Sequence, residues 1–332
     1  MKTKVAINGY GRIGVCVARI ISGRDDIELV AINCTTEDDM IEYLTKYDSV
    51  HGVYDGDVAV NDGYLCMWED TKAKILKQRD PHNLDFWKYG AQVVLECTWK
   101  FTTKELSKVH IKNGVRKVIY SSPAKDDTPT YVIWVNHGQY SWEDIISNSS
   151  CTTNCLWPVT KLIDDNFWVE KWLMTTIHSY TSSQKILDIK HSSDKRRGRA
   201  AAENIIPTTT GAAKSMNLIM PHLKGKLHGQ SVRVPTPNVS MIDVTFVLKK
   251  DTSVEEVNTL LEEASKNTLK WILEFDTESR VSSDIRGNPH SAIVISDMTQ
   301  VIDGDMLKIM AWYDNEWGYS NRLVDMVQHI TQ

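Results

Sequence analysis

The residues best suited to chemistry lie in one short segment, residues 149–155, which reads Ser-Ser-Cys-Thr-Thr-Asn-Cys. Hydroxyl residues surround Cys151 just before an apolar-periodic run from Leu156 to Phe167. This pattern predicts that Cys151 lies in the first turn of a helix capped by Ser or Thr. Because the N–H groups and dipole at a helix start favour negative charge, we expect Cys151 to ionise readily and act as a nucleophile. The alternative is a buried cysteine without chemistry.

A second motif supplies a partner for such a nucleophile. Residues 175–181 read Thr-Thr-Ile-His-Ser-Tyr-Thr and place His178 at the end of a predicted strand. A histidine there is often a satisfied core residue, but a candidate cysteine nucleophile in the preceding unit makes a Cys–His pair the better interpretation.

Three further segments carry the hydroxyls, backbone N–H groups and arginines that bind oxyanions. Each segment alone could be a solvated loop. Together they predict a doubly anionic ligand. The segments are Thr-Thr-Thr-Gly-Ala-Ala-Lys at 208–214, Lys-Arg-Arg-Gly-Arg at 195–199 and Val-Arg-Val-Pro at 232–235.

A dinucleotide site is predicted near the start of the chain. Gly9, Gly11 and Gly14 form a GxGxxG pattern directly after a strand-like run and at the start of a helical one. The glycines permit a tight turn and a close approach of the backbone to a pyrophosphate. Such sites usually carry an acid about 20 residues further on, but Cys34 takes that place. No carboxylate is there to repel a 2′-phosphate, so the choice between NAD and NADP stays open.

The elements that must position these residues alternate in the first half of the chain, which is typical of a doubly wound parallel sheet. The predicted strands there are 4–8, 27–33, 92–96 and 117–120, and the predicted helices are 15–22, 38–46 and 104–113. After Cys151 the strands are longer and the crossovers fewer. The predicted strands there are 173–178, 231–234, 243–249, 292–296 and 306–312, and the predicted helices are 212–216 and 254–267.

These patterns predict an α/β chain of two domains. Residues 1–150, with a C-terminal helix at 316–332, form a Rossmann-type doubly wound parallel sheet domain that binds the dinucleotide. Residues 151–315 form an α+β catalytic domain with a mixed or antiparallel sheet. A length of 332 residues is sufficient for two such cores.

Composition excludes several classes of protein. A net charge of −5 argues against a general role on nucleic acid or membranes, and no apolar run approaches the ~20 residues of a membrane span. The first residues lead directly into a strand without a signal-peptide core, so we expect a cytoplasmic protein whose six cysteines are thiols. Metal binding by Cys151 and Cys155 is disfavoured because no second ligand cluster follows.

Taken together, the motifs resemble those of phosphorylating glyceraldehyde-3-phosphate dehydrogenases along the whole chain. The matching segments are 8–14, 46–52, 149–155, the surroundings of His178, 204–211 and 312–316. The resemblance implies a homotetramer in which residues 180–202 line the cofactor sites of neighbouring subunits.

The resemblance also implies roles for individual residues. Cys151 would be the nucleophile and His178 its base. The attacking phosphate would be held by Ser150, Thr152, Thr210 and Gly211, and the substrate phosphate by Thr181, Arg197 and Arg233. Matches to cofactor positions are Arg12, Ile13, Arg79, Ser121 and Asn315, beside the glycines and Cys34.

The implied reaction is the oxidation of glyceraldehyde 3-phosphate through a Cys151 thioester that inorganic phosphate cleaves. Hydride would leave for the nicotinamide while His178 takes a proton. The alternatives are the related erythrose-4-phosphate dehydrogenase and a scaffold protein that kept the fold and lost catalysis.

The chain departs from this family in two respects. The family's usual Gly-Pro-Ser after the aspartate is replaced, since Ile189-Lys190-His191 follow Asp188. This change and Cys34 together predict dual use of NAD and NADP.

The second departure is a tryptophan excess, with 11 Trp but only 17 Gly, where average usage would give about 23 Gly. Our hypothesis is that a UGA codon meant as glycine was translated as tryptophan; the alternative is a Trp-rich divergent enzyme. The tryptophans that replace common family glycines, or Gly or Ala at 157, are Trp87, Trp99, Trp134, Trp142, Trp157, Trp168, Trp172 and Trp271.

Overall fold

The computed structural model describes residues 2–68, 70–191, 194–212 and 219–332. The chain divides into two compact units. The N-terminal unit comprises Met1–Ile133, His137–Ser149 and Ser320–Gln332, and the C-terminal unit comprises Trp134–Asn136 and Ser150–Tyr319. Most of the helix predicted at 212–216 lies outside the described residues.

The N-terminal unit contains an eight-stranded sheet and a small two-stranded one among its described residues. The strands of this unit are β1 Thr3–Asn8, β2 Ile27–Asn33, β3 Tyr47–Asp48, β4 Gly52–Val53, β5 Val58–Asn61, β6 Tyr64–Met67, β7 Thr71–Leu76, β8 Val93–Glu96, β9 Lys117–Tyr120 and β10 Ile145–Ser147. Its first helices are α1 Arg12–Ser22, α2 Asp38–Lys46 and α3 Lys104–Ser107.

The large sheet of this unit has the strand order β10-β9-β8-β1-β2-β7-β6-β5. The pairs from β10 to β7 are parallel, whereas β6 pairs antiparallel with β7 and β5. The central strands are continuous apolar runs with both faces buried, such as Val5–Ile7 and Leu29–Ile32, as expected when helices cover both sides. The predicted α/β fold with a doubly wound parallel sheet is confirmed.

The C-terminal unit begins with the long helix α4, Cys151–Phe167, and carries a mixed sheet. Its strand order is β12-β13-β11-β14-β18-β16-β15, with β17 paired to β18. The strands are β11 Val169–Ser179, β12 Ile206–Thr209, β13 Leu227–Val234, β14 Ser240–Leu248, β15 Leu273–Asp276, β16 Ala292–Ile295, β17 Gln300–Ile302 and β18 Met306–Tyr313, and a further helix is α5 Val254–Lys266. The last helix, α6 Trp317–Thr331, belongs to the N-terminal unit from Ser320 onward.

The mixed sheet that the sequence predicts is confirmed by its pairings. The pairs β11–β13 and β15–β16 are parallel, and the other pairs are antiparallel. In α6, Leu323, Val324, Val327 and Ile330 belong to the core of the N-terminal unit. Within the described part of the chain, no helix has the length and apolar character needed to cross a membrane.

Candidate active site

The N-terminus of α4 places Cys151 as the first helical residue. The preceding Ser150 is the N-cap: its Oγ accepts a hydrogen bond from the backbone N–H of Thr153 at 3.2 Å. A serine cap fixes the first turn and directs the remaining N–H groups outward. The sequence and the structure therefore agree on where the helix begins.

His178 reaches the cysteine from β11, a central strand of the mixed sheet. Its Nε2 lies 3.6 Å from the Sγ of Cys151, and the ring is buried. The Nδ1 atom is 2.8 Å from the carbonyl oxygen of Ser179 and 2.8 Å from Nη1 of Arg233. Because a general base needs a lone pair at Nε2, catalysis requires the tautomer in which Nδ1 carries the proton and donates a hydrogen bond to the carbonyl oxygen of Ser179.

Strand register brings a cation to the same place. Arg233 is the register partner of His178 in the parallel pair β11–β13. Its Nη1 also donates to the carbonyl oxygen of Ser179 at 2.8 Å, whereas its buried Nε has no hydrogen-bond partner among the described residues. A buried donor without a partner is costly, so Arg233 is suited to bind an anionic ligand.

Burial and the charge of Arg233 both shift the pKa values of Cys151 and His178. Burial raises the pKa of the Cys151 thiol, although Arg233 and the backbone N–H of Thr152 lower it. Burial and the charge of Arg233 lower the pKa of His178 well below its usual range. Without ligand, both shifts favour a neutral thiol and a neutral imidazole. The helix position alone predicts a lower thiol pKa, but burial outweighs it.

Arg197 contributes a second positive charge. It lowers the pKa of both His178 and Arg233, for which burial is the larger cause. Its Nε donates to Thr208 Oγ1 at 2.9 Å and its Nη2 to the carbonyl oxygen of Thr209 at 3.1 Å. The Nε of Arg197 also lies 3.7 Å from Asp194 Oδ2, which partly offsets its charge. Two arginines whose fields overlap are suited to a doubly charged anion.

The other phosphate candidates occupy loops and strand ends of the same unit. Thr181 Oγ1 lies 3.0 Å from Ser183 Oγ, and Thr210 Oγ1 accepts from the N–H of Ala212 at 3.2 Å. Gly211 is exposed beside Thr210. The remainder of the predicted anion segment, Ala213 and Lys214, lies outside the described residues.

A buried tyrosine that the sequence reasoning missed links the two catalytic elements. The hydroxyl of Tyr313 lies 2.9 Å from Thr152 Oγ1 on α4 and 2.8 Å from Thr176 Oγ1 on β11. Its ring meets the His178 ring edge-on at a centroid distance of 5.9 Å. Tyr313 thus fixes the separation of the helix that carries the thiol and the strand that carries the base.

The N-terminal unit contains a cavity of about 490 Å³ at the carboxyl ends of its parallel strands. Four of the residues predicted for the cofactor line it: Gly9, Gly11, Cys34 and Arg79. A Cβ on Gly9 would lie 2.8 Å from the backbone N of Thr98, whereas a Cβ on Gly11 would meet only open space. Gly11 is also the N-cap of α1, and no described side chain caps that helix. This cradle fits the pyrophosphate of a dinucleotide.

The floor of this cavity is a chain of polar side chains that sequence reasoning also missed. Gln78 donates its N–H to Asn33 Oδ1 at 3.0 Å, and Asn33 Nδ2 donates to Asn8 Oδ1 at 2.8 Å. Asn8 Nδ2 donates to Glu96 Oε2 at 2.6 Å, and Glu96 Oε1 accepts from the N–H of Thr98 at 2.8 Å. The chain ties together the ends of β1, β2 and β8. The only sequence signal is that Asn8, Asn33 and Glu96 each end a strand.

The remaining cofactor candidates lie outside the lining of this cavity. Arg12 forms an ion pair with Asp48. Although burial raises the pKa of Asp48, Arg12 and the N–H groups of His51 and Val50 lower it to about 2. Ile13 and Gly14 are in α1, and Ser121 is buried after β9.

Asn315 is a cofactor candidate in the C-terminal unit. It is buried, and its Oδ1 accepts from Ser179 Oγ and Ser240 Oγ, each at 2.9 Å. Ser179 lies next to His178 on β11 and Ser240 begins β14, so the two hydroxyls fix the orientation of the Asn315 amide relative to these strands.

Comparisons with known proteins agree with both units. Residues 3–104 match the family described as "Glyceraldehyde 3-phosphate dehydrogenase, NAD binding domain", and residues 150–315 match its "C-terminal domain". The chain is 47% identical over 332 residues to "Glyceraldehyde-3-phosphate dehydrogenase 2" of Bacillus subtilis (strain 168), covering 99% of this chain and 97% of that protein.

Two further relatives are similar to the chain over the same span. It is 48% identical over 333 residues to "Glyceraldehyde-3-phosphate dehydrogenase" of Geobacillus stearothermophilus, covering 99% and 98% of the two chains. It is 42% identical over 332 residues to "Glyceraldehyde-3-phosphate dehydrogenase A" of Escherichia coli (strain K12), covering 100% of both.

Proposed function

Because the chain belongs to the glyceraldehyde-3-phosphate dehydrogenase family, we propose that it oxidises D-glyceraldehyde 3-phosphate to 1,3-bisphosphoglycerate, using inorganic phosphate and NAD. The observation that carries this proposal is the approach of His178 Nε2 to Cys151 Sγ at 3.6 Å, with Arg233 beside both. A thiol, a neutral base and a cation are the groups that this reaction requires.

The first step is attack of the Cys151 sulfur on the aldehyde carbon. His178 Nε2 takes the thiol proton as the C–S bond forms and passes it to the former carbonyl oxygen, which gives a hemithioacetal and leaves the imidazole neutral. Arg233 stabilises the developing thiolate, since its charge already lowers the pKa of Cys151 against the effect of burial. The N–H groups in the first turn of α4 stabilise the oxyanion, where one such donor is typically worth ~3–4 kcal/mol.

The second step is oxidation. When bound, NAD supplies the acceptor for the hydride that leaves the hemithioacetal carbon. His178 holds the proton of the hemithioacetal hydroxyl as the carbonyl of the thioester forms. The hydrogen bond from Nδ1 to Ser179 keeps the ring oriented through both proton transfers.

The third step is cleavage of the thioester by inorganic phosphate. A phosphate oxygen forms the new C–O bond, the C–S bond breaks, and Cys151 is released. By resemblance, Ser150, Thr152, Thr210 and Gly211 hold the attacking phosphate, and Thr181, Arg197 and Arg233 hold the substrate phosphate. In support, the buried Nε of Arg233 lacks a partner among the described residues, and the field of Arg197 reaches both Arg233 and His178.

The direct test measures NAD reduction with glyceraldehyde 3-phosphate and with erythrose 4-phosphate, each with and without phosphate. We expect phosphate-dependent turnover of the triose phosphate, and its loss by several orders of magnitude in Cys151→Ser. His178→Asn should still bind NAD but lose most of its turnover. A preference for erythrose 4-phosphate would assign the related dehydrogenase, and full activity of Cys151→Ser would refute the mechanism.

The proposal includes the use of NADP as well as NAD. Cys34 lines the cavity directly after β2, at the position where many dinucleotide sites carry an acid. A thiol there does not repel the 2′-phosphate of NADP as a carboxylate would. Steady-state kinetics with each cofactor tests this, with Cys34→Asp as the matched variant that should suppress NADP use. NADP turnover a thousandfold below that with NAD would exclude dual use.

We also propose a homotetramer in the cytoplasm. The segment between β11 and β12 exposes a set of large apolar side chains, which in a soluble protein indicate a contact surface. They are Ile186, Leu187, Ile189 and Ile205, with exposed fractions of 82%, 76%, 58% and 70%. None of the six cysteines is in a disulfide, which suits a reducing compartment and the proposed role of Cys151.

A further inference from the structure

Six tryptophans have a backbone conformation that is ordinary for glycine and rare for tryptophan. Their φ angles lie between 51° and 74°, in the left-handed region, where a Cβ crowds the following carbonyl oxygen. They are Trp68, Trp99, Trp134, Trp142, Trp168 and Trp271.

The usual exceptions do not account for this set. Six other non-glycine residues among the described ones have positive φ, and three of these are Asp or Asn, whose short polar side chains can hydrogen-bond locally. Tryptophan lacks a short polar side chain of this kind, yet six of the chain's 11 tryptophans adopt this conformation.

The positions themselves are turns where glycine is common. Trp168 is the C-cap of α4, and its N–H donates to the carbonyl oxygen of Asp164 at 3.0 Å. Helices frequently end on a left-handed glycine at such a place. Trp68 follows β6 directly in the turn toward β7, and Trp99 lies three residues after the end of β8.

Packing does not offset the backbone cost at most of these positions. Trp68, Trp99, Trp142, Trp168 and Trp271 are 52–67% exposed, so more than half of each residue stays in contact with solvent. Their contacts are those of surface residues, such as Trp68 edge-on to Tyr54 and Trp271 stacked on His290. Trp312 differs: it lies in β18 and packs against the cluster of Val239, Ile285 and Ile293, with no positive φ.

We propose that the functional protein carries glycine at all six positions, because its source reads UGA as glycine. Five of the six are among those that the sequence comparison with the family singled out, and the backbone adds Trp68 independently. Trp87, Trp157 and Trp172 do not share the left-handed conformation and lie outside this proposal.

Position 99 connects the proposal to function. Its neighbours Thr98 and Lys100 line the cofactor cavity. The Cβ position of Gly9 lies 2.8 Å from the backbone N of Thr98, so the turn after β8 packs directly against the phosphate-binding turn. With glycine at position 99, this part of the cavity wall adopts its left-handed backbone conformation without strain.

The decisive test is peptide mass spectrometry of the protein purified from its source, together with the codons of its gene. We expect UGA at the six positions and peptides that carry glycine there. A peptide with tryptophan at any of the six positions, or UGG in the gene, would overturn the proposal for that position, and tryptophan at all six would overturn it entirely.

Two synthetic genes test the physical argument independently of the source. The chain with six Trp→Gly changes should unfold at a midpoint at least ~10 °C higher than the chain with six tryptophans. Trp312→Gly, added to the six-glycine chain as the matched control, should lower the midpoint because it removes a packed side chain. An equal or lower midpoint for the six-glycine chain would contradict the claim that these positions require glycine.

Discussion

At the scale of single residues, the reactivity of Cys151 depends on a balance between burial and positive charge. Burial raises the thiol pKa, and Arg233 is the largest of the groups that lower it. The same arginine lowers the pKa of His178, after burial. Arg233 therefore acts on both members of the pair even before any ligand binds.

Removing this charge should slow the alkylation of Cys151. In Arg233→Leu the thiolate loses the cation that lowers its pKa, so the pKa of Cys151 rises and that of His178 rises as well. Below the thiol pKa, the rate with iodoacetamide follows the thiolate fraction and should fall about three- to tenfold at pH 7. The exposed Arg286→Gln is the control and should leave the rate unchanged. An unchanged or faster rate in Arg233→Leu would show that Arg233 does not stabilise the thiolate.

Removing the Tyr313 hydroxyl should weaken the positioning of Cys151 relative to His178 while both catalytic side chains remain. Tyr313→Phe leaves the hydroxyls of Thr152 and Thr176 without their shared partner, which typically costs about 1–3 kcal/mol for buried groups. The free energy of unfolding in urea and the turnover rate should both decrease in Tyr313→Phe. The control is Tyr43→Phe at an exposed position, which should change neither quantity. Unaltered stability and activity would mean that the bridge does not position the site.

Some of these residues could be predicted from sequence and others could not. Cys151 and His178 stand in short motifs whose local pattern gives their position on a helix and a strand. Tyr313 lies 161 residues from Thr152, and its role depends on the register of β14 against β18 and β11. The register between strands that are distant in the sequence cannot be predicted from a local pattern.

At the scale of elements, α4 and β11 matched their patterns because apolar spacing and a serine cap are local signals. The strands β5, β6 and β7 were not predicted. The predicted helix 104–113 is also shorter than expected: α3 ends at Ser107, and a 3₁₀ turn follows from Lys108 to His110. This turn accompanies the buried His110, which lies 3.3 Å from Glu96, a tertiary contact that outweighs helix propensity.

A carboxylate in β15, Glu274, should govern the acid stability of the C-terminal unit. Hydrogen bonds from His290, Asn288 and Arg280 lower the pKa of Glu274 to about 2, although burial opposes them. A depressed folded pKa contributes stability above the unfolded value, near 4.3, that is lost as the pH falls toward 2. Glu274→Gln should therefore cost about 3 kcal/mol at most at pH 7 and only about 0.4 kcal/mol near pH 2, where the carboxyl is half protonated.

Urea unfolding of the two chains between pH 7 and pH 2 measures this difference. The neighbouring Glu278→Gln, which alters an exposed carboxylate, serves as the control. A difference between Glu274→Gln and the unchanged chain that does not shrink with falling pH would refute the assignment.

At the scale of the whole molecule, we expect the exposed apolar side chains between β11 and β12 to be buried at an interface between copies of the chain. Ile186→Asp with Leu187→Asp places two charges on side chains that are 82% and 76% exposed. These changes should leave the fold intact, and light scattering should detect species smaller than the proposed tetramer. Leu106→Asp, at an exposed position on α3 of the N-terminal unit, should remain tetrameric. A tetramer that survives the double change would place the contact elsewhere.

The central claim for the molecule is that its reaction passes through an acyl group on one sulfur atom. The most direct measurement mixes the enzyme with glyceraldehyde 3-phosphate and NAD in the absence of phosphate and determines the masses of its peptides. We predict a phosphoglyceryl thioester on the peptide that contains Cys151, formed in one enzyme equivalent together with NADH and discharged when phosphate is added. NADH formation without an acylated Cys151 peptide would contradict the account.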